Sequence, residues 1–429
     1  FYGDVPYSEA IGGIENLNPS VDGGAAIYSA ALSLLDEAIA NFTATDNAAE
    51  PSNDYYYAGD WDNWVKLANS LKLKIYAQSR LVDSGAVAAF NAIITNGNYM
   101  TSVSEDFQFT WGTNVVNPDS RHPNYVTNYT PQGANTYMSN WMMNYMDNSK
   151  VDNGVGIYEG SDPRIRYYYY RQSETTPGAS DSDGPNQQTL SCSVEPAPAH
   201  YVAGNFTFCS LPNGYWGRDH GDDDGTPPDG NLRTTYGVYP AGGEFDDSTY
   251  EAVDLGSGAG GAGILPIFLA QTVDFLRAEI AFVSNDLAGA RTHLTNGIQK
   301  SIDKTVAFGP LDAGADLSLA PTQDDIDDYI AEVQAIYDAA AGNEKLNLIA
   351  KEFLVATFGN GIDGYNFYRR TGYPNDLQPN LEPDPGLFIR SFLYPAVFAN
   401  NNSSVTQKTN VTQKVFWDNN PDAGFPLSN

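Results

Sequence analysis

The amino-acid sequence predicts a mostly α-helical scaffold that carries one large, loop-rich insertion. Apolar residues recur at helical spacing between residues 25 and 95, and again between 267 and 356. From about residue 100 to 262 that period mostly vanishes, and Asn, Asp, Gly, Pro, Ser, Tyr and Trp dominate. After Tyr373-Pro374 the chain is loop-like again, because Pro379, Pro383 and Pro385 forbid a long helix. The expected parts are therefore an N-terminal helical part (1–100), the insertion (101–262), a second helical part (263–375) and an irregular closing segment (376–429).

Residues 25–42 place Ile27, Ala31, Leu34, Leu35 and Ala38 on one helical face, between Gly23-Gly24 and a Thr/Asn/Pro-rich stretch at 43–53. A longer helix is expected over Gly59–Asp83. In it Trp64, Ala68, Leu71, Ile75 and Val82 share a stripe, Asp60 caps the start and Lys72 and Lys74 face the other way. Ala86–Thr95 forms a third helix, stopped by Gly97. Three consecutive helices of this kind fit an antiparallel array.

Inside the insertion, Thr136–Met146 is the plausible helix, with Tyr137, Trp141 and Tyr145 four residues apart. Arg164–Arg171 reads as a strand, since aromatic runs favour pleated structure, and 173–199 as a low-complexity loop. Helical texture returns with a pair over 267–284 and 286–303. A capping box of Thr322 and Asp325 opens 323–340. Leu346, Ile349, Phe353 and Ala356 line one more helix, ended by Gly359 and Gly361, and Lys414–Asp418 forms a short closing tie.

Composition narrows the function. A hydrophobic content of 41% supports a core, and no apolar run reaches the length of a membrane span. A net charge of −31 excludes nucleic acid and anionic lipid headgroups as partners, since both require an excess of Lys and Arg. The four histidines, His122, His200, His220 and His293, show no H-E-x-x-H spacing, and there is no G-x-S-x-G elbow or Walker A sequence. Close acidic pairs are unavoidable in so acidic a chain and therefore nominate no catalyst. The reading is a binding protein and not an enzyme, with no cofactor.

Binding chemistry concentrates in the insertion. Sugar rings stack their C–H faces on aromatic planes while amides and Arg pair with hydroxyls, so such a site needs aromatics beside polar groups on loops. Trp111 with Asn114, Tyr125, Tyr137 with Trp141, and Tyr215-Trp216 with Arg218 have that composition. The competing reading makes the same rings the insertion's own small core. Trp61, Trp64 and Trp417 belong to the scaffold. The segment Gly217–Gly225, with Asp219, Asp222 and Asp224, is either a structural calcium loop or a solvated acidic turn. Cys192 and Cys209 form either a disulfide closing a surface loop or two unpaired thiols.

Four ordered stretches resemble the SusD/RagB family of outer-membrane nutrient-binding lipoproteins. They are Phe1–Ala10 (FYGDVPYSEA), Gly59–Leu73 with its paired tryptophans, Phe275–Glu279 followed by Gly297–Ser301, and Tyr365–Pro374 with Val415–Asp418. The resemblance implies a tetratricopeptide-like scaffold. It also implies a lipid anchor on a cysteine that precedes the present sequence, at the extracellular face of an outer membrane. Partners implied are an oligosaccharide or polysaccharide and a SusC-type TonB-dependent transporter. Peptide capture, or a transporter lid with weak ligand affinity of its own, are the alternatives within the same family. The acidity suits a salty exterior, where a marine β-glucan such as laminarin is a plausible ligand, although acidity identifies no sugar.

Overall fold

The computed structural model describes residues 1–45, 53–147, 162–176, 192, 195–222, 232–382, 385–421, 425 and 427. The first helical part consists of α1 (Gly24–Phe42), α2 (Trp61–Ser79) and α3 (Ala86–Asn96). Asp60 caps α2 by accepting from the Asn63 N–H, and Gly97 ends α3 with φ 75°. The insertion holds β1 (Phe107–Thr110), α4 (Pro123–Asn128), α5 (Asn140–Asp147), α6 (Ile165–Tyr168), β2 (Tyr169–Tyr170), α7 (Ala199–Gly204) and β3 (Thr235–Tyr236). Then follow β4 (Ile264–Phe268), α8 (Ala270–Val283), α9 (Leu287–Val306), α10 (Gln323–Ala339), α11 (Glu344–Ala356), α12 (Gly361–Thr371) and α13 (Ala396–Asn401). β1 pairs antiparallel with β4, and β2 with β3.

Helix α8 is the shared wall of two cores. Phe275 and Ala278 pack with Leu294, Ile298, Ile326, Val333, Ile349 and Phe353 from α9, α10 and α11. On its other side Val273, Leu276 and Ile280 meet Leu67, Leu73, Phe90 and Ile93 from α2 and α3. The α8–α9 approach is tight because Gly297 stands where a Cβ would lie 2.8 Å from the Phe275 ring. Polar pairs tie α8 to α12 and to the end of α2. Glu279 of α8 accepts from Arg370 at 2.8 and 2.6 Å and from Arg80 at 2.9 Å. Burial pushes its carboxyl upward, but the Arg370 and Arg80 guanidiniums outweigh this and hold it below the ordinary value.

The sequence expectations need five adjustments. The organising helix stops at Ser79, and Val82 is exposed in the turn beyond it. Its buried face is also broader than one stripe, with Leu67, Leu73 and Ala77 inside, because α2 is flanked by α1, α3 and α8. Residues 267 and 268 belong to β4, since the pairing with β1 continues to Phe268 opposite Phe107 and the helix opens only at Ala270. Arg164–Arg171 is not one strand. It is a helical turn followed by two strand residues, because the Arg164 carbonyl accepts the Tyr167 and Tyr168 amides before the chain extends. The proposed helix at 136–146 starts four residues later, at Asn140.

The insertion is welded to the scaffold. Tyr167, Tyr168, Tyr239, Phe245 and Ile264 share one core with Phe308 and with Val355 of α11. Beneath it Arg164 is fully buried and donates to Asp162 at 2.8 and 2.6 Å, to Glu352 at 3.0 Å and to the Ser301 hydroxyl at 3.0 Å. Tyr329 adds a hydroxyl to both carboxylates. Arg164→Leu strands two buried carboxylates and is expected to remove about 3–5 kcal/mol of folding stability, read from the urea midpoint.

Glu244 supplies a pH-dependent term. Burial, joined by the carboxylates of Asp312, Glu251 and Asp247, pushes its carboxyl up to about 8. The folded chain therefore holds a proton that the unfolded chain releases, so stability falls as pH rises from the ordinary carboxylate range to about 8. Unfolding free energies from urea titrations between pH 5 and 9 should fall more steeply in the wild type than in Glu244→Gln, by about 1–3 kcal/mol over that span.

Candidate functional site

A cleft of about 640 Å³ opens where the insertion, the scaffold and the closing segment meet. That volume is in the range that takes a drug-sized ligand. Trp141 and Met142 at the start of α5 form one wall, and Arg218 and His220 another. Leu377, Gln378, Phe388 and Phe392 of the closing segment, over Leu354 of α11 and Tyr365 of α12, complete it.

Local geometry explains how these segments meet. The Arg218 N–H donates to the Met138 carbonyl at 2.8 Å, and the Asn140 N–H to the Arg218 carbonyl at 3.0 Å. This approach needs glycine at 217, where a Cβ would lie 1.9 Å from the Met138 oxygen. Asp219 is the buried hub behind the wall. Its carboxylate accepts from the Cys209 N–H at 2.6 Å, Asn140 Nδ2 at 3.1 Å and Gln378 Nε2 at 2.8 Å. Burial pushes its carboxyl up despite those three donors. The His220 N–H donates to Gln378 Oε1 at 2.9 Å, and His220 Nδ1 lies 2.9 Å from the Gln378 carbonyl, so that nitrogen carries the proton. The Cys192–Cys209 disulfide anchors the same loop.

Trp141 is the fixed aromatic of the cleft. Its indole N–H donates to the Asp376 carbonyl at 2.8 Å, and its ring stacks on Tyr145 at 5.5 Å with planes 5° apart. Tyr145 in turn donates to Glu352 at 3.0 Å, so the wall is continuous with the buried Arg164 network. Tyr137 is sandwiched between the guanidiniums of Arg218 at 4.0 Å and Arg233 at 3.8 Å, and Arg218 also pairs with Asp222 at 3.4 Å. Tyr137 therefore stiffens the polar end and offers no open face for stacking.

Of the residues singled out from the sequence, Tyr137, Trp141 and Arg218 converge on this cleft. Trp216 is 0% exposed and packs with Cys209, and Tyr215 is buried beneath Arg171. Tyr125 is also 0% exposed, stacked on Tyr129 and donating to the Ser257 carbonyl. These three rings are core, because each face already meets protein. Trp111 is half-buried at the end of the β1–β4 pair, between Phe109 and His122, and Asn114 closes its own turn through Val116 and Pro118. Neither lines the cleft. Asp224 lies outside the described residues. Among those described, no three acidic, His or Cys side chains are grouped to hold a metal.

Sequence reasoning missed the closing segment's share. Leu387, Ile389, Phe392 and Leu393 are all exposed, within a proline-bounded stretch that has no period to explain its apolar content. That mismatch between composition and periodicity was the available signal.

Fold and cleft together define a helical-repeat scaffold whose loop-rich insertion forms part of the wall of a candidate ligand cleft. The SusD-like family described as "Starch-binding associating with outer membrane" matches residues 1–186 and 232–395, and the chain belongs to it. Solved structures with the same fold include a chitin-binding SusD homologue from Flavobacterium johnsoniae (19% identity, TM-score 0.63, covering 98% of this chain and 77% of that one). A SusD homologue from Bacteroides fragilis matches at 17% identity and TM-score 0.65, covering 97% of this chain and 79% of the other. One from Bacteroides uniformis matches at 20% and 0.65, with 97% and 77% covered. No curated protein sequence matches. Among the described residues no helix is long and apolar enough to cross a membrane.

Asp219→Ala removes the common acceptor of three donors, and is expected to cost about 2–4 kcal/mol. It should also speed hydrogen exchange at the Cys209 amide, measured by NMR or mass spectrometry.

Proposed function

We propose that this protein captures a glycan at the outer surface of a bacterial cell and passes it, uncleaved, to a SusC-type TonB-dependent transporter. The observation that carries this reading is the cleft, where an immobilised tryptophan and further aromatics face amides, an imidazole and a guanidinium. Apolar ring faces beside hydrogen-bonding edges match the two sides of a pyranose.

Two further points support it. The family is described as starch-binding and associated with the outer membrane, and a relative of the same fold is described as chitin-binding. The cleft's charged side chains are Arg218 and Asp219, beside the His220 imidazole, and Asp219 is occupied by N–H donors. Among the described residues that lining holds one carboxylate, Asp219, where glycoside hydrolysis uses a pair, which favours binding over cleavage. A lipid anchor at the outer face belongs to the same reading. Calcium in the acidic turn would serve only to order it, since Asp219 and Asp222 are already engaged within the protein. A second reading, peptide capture, draws on the predominance of Leu, Ile and Phe along the closing segment.

The test is calorimetry against a panel of neutral polysaccharides, including laminarin and soluble chitin oligomers, and a panel of peptides, with and without chelator. Saturable binding to one glycan is expected. Trp141→Ala should weaken it at least about tenfold while the circular dichroism spectrum is unchanged. Binding to peptides alone would replace the glycan reading with the peptide one.

A further inference from the structure

A second hollow, of about 310 Å³, lies in the insertion at the end of α5 remote from Trp141. It shares no lining residue with the cleft. Its floor is Arg171, which is buried and firmly held. Nε and Nη2 donate to the Asp246 carboxylate at 2.6 and 3.1 Å, and Nη1 to the Asn213 carbonyl at 3.0 Å. The rings of Tyr215 and Tyr250 lie 4.8 and 5.1 Å from that guanidinium. The backbone around it is strained. Asn213, Ser248 and Tyr250 have φ of 63°, 65° and 58°, three of the seven non-glycine residues with positive φ among those described. Holding a bulky ring such as Tyr250 in that region costs energy, and such strain gathers where side chains are aimed at a ligand.

Two charged groups of the hollow are left over. Arg166 uses only Nη1 within the protein, donating to the Asp246 carbonyl at 2.7 Å and the Ser248 hydroxyl at 3.1 Å, with the Asp246 carboxylate 3.7 Å away. Among the described residues its Nε–Nη2 edge meets no acceptor, and that edge is a fork that receives a carboxylate through two parallel bonds. Glu174 is exposed at the rim and has no hydrogen bond or ion pair among the described residues. Asp147, by contrast, is engaged by the Asn213 side chain with the Arg171 charge beside it. A lone anion here would meet Glu174 and an overall charge of −31, and a lone cation would meet Arg166 and Arg171. A ligand carrying both signs satisfies both leftover groups and brings no net charge.

We infer that this hollow is a second binding site, separate from the glycan cleft, for a small zwitterion of the α-amino acid class. The ligand carboxylate lies on the Arg166 fork, and its ammonium lies between Glu174 and the Tyr250 hydroxyl. The volume is at the small end of ligand pockets, which suits a single amino acid and excludes a polymer.

The experiment is calorimetry of the intact protein with free L-serine, L-leucine, L-glutamate and L-lysine. Each is compared with its N-acetyl and methyl-ester forms, and acetate and glucuronate are titrated alongside. At least one free amino acid should bind saturably, and blocking its amine or its carboxylate should weaken binding about tenfold or more. Arg166→Gln and Glu174→Gln should each weaken it by about tenfold or more as well. Glu174 has no partner to lose among the described residues, so its variant carries the test if circular dichroism shows Arg166→Gln misfolded. The site is overturned if no free amino acid binds, if acetate, glucuronate or an N-acetyl form binds as tightly, or if Glu174→Gln leaves affinity unchanged. None of these outcomes bears on the glycan cleft, which shares no residue with the hollow.

Discussion

The architecture hangs on a buried ion cluster. Arg164 opens the tyrosine-rich run of the insertion, and Asp162 and Glu352 hold its guanidinium where none of the three meets water. Taking such charges out of water is costly, and only mutual pairing offsets it. The cluster therefore fixes position more than it adds net stability, because a small shift of the insertion would leave a charge unpaired. Everything that shapes the cleft stands on that fixed point. Tyr145 reaches Glu352, Trp141 stacks on Tyr145, and the closing segment hangs from the Trp141 indole through Asp376.

The scaffold was legible because its physics is local. Asp60, the Thr322–Asp325 box and the spacing of Leu346, Ile349 and Phe353 each specify a helix from neighbours in sequence, and each helix forms. The insertion was legible only as a change of texture. Its tyrosines follow no period because they pack toward several elements at once, so RIRYYYYR reads as a strand although its first turn is helical. For the candidate site, residue type alone marked both Trp141 and Trp216. What separates them is tertiary, since one lies beside an open cleft and the other beneath a disulfide-bonded loop. The closing segment's share was missed because its partners are distant in the chain, with Asp219 and His220 more than 150 residues away and Tyr365 back inside α12.

Charge is distributed with the same economy. Core acids such as Glu279 and Glu352 are matched by arginines, whereas Glu244 faces other carboxylates and is held protonated up to about 8. Many other carboxylates are exposed, where like charge opposes self-association. An aromatic, acid-poor groove within that shell is a local exception, and local exceptions to a global composition mark surfaces shaped by something other than solubility.

The cleft is assembled from residues near 140, near 220 and between 377 and 392. No contiguous stretch can build it, so it exists only once distant parts of the chain have met. Contacts of such long sequence separation form slowly, after local helices have already condensed. A newly made chain would pass through a state with a sound helical frame and an open, unfinished groove whose apolar rings are bare. Those rings stay open to self-association until the closing segment docks.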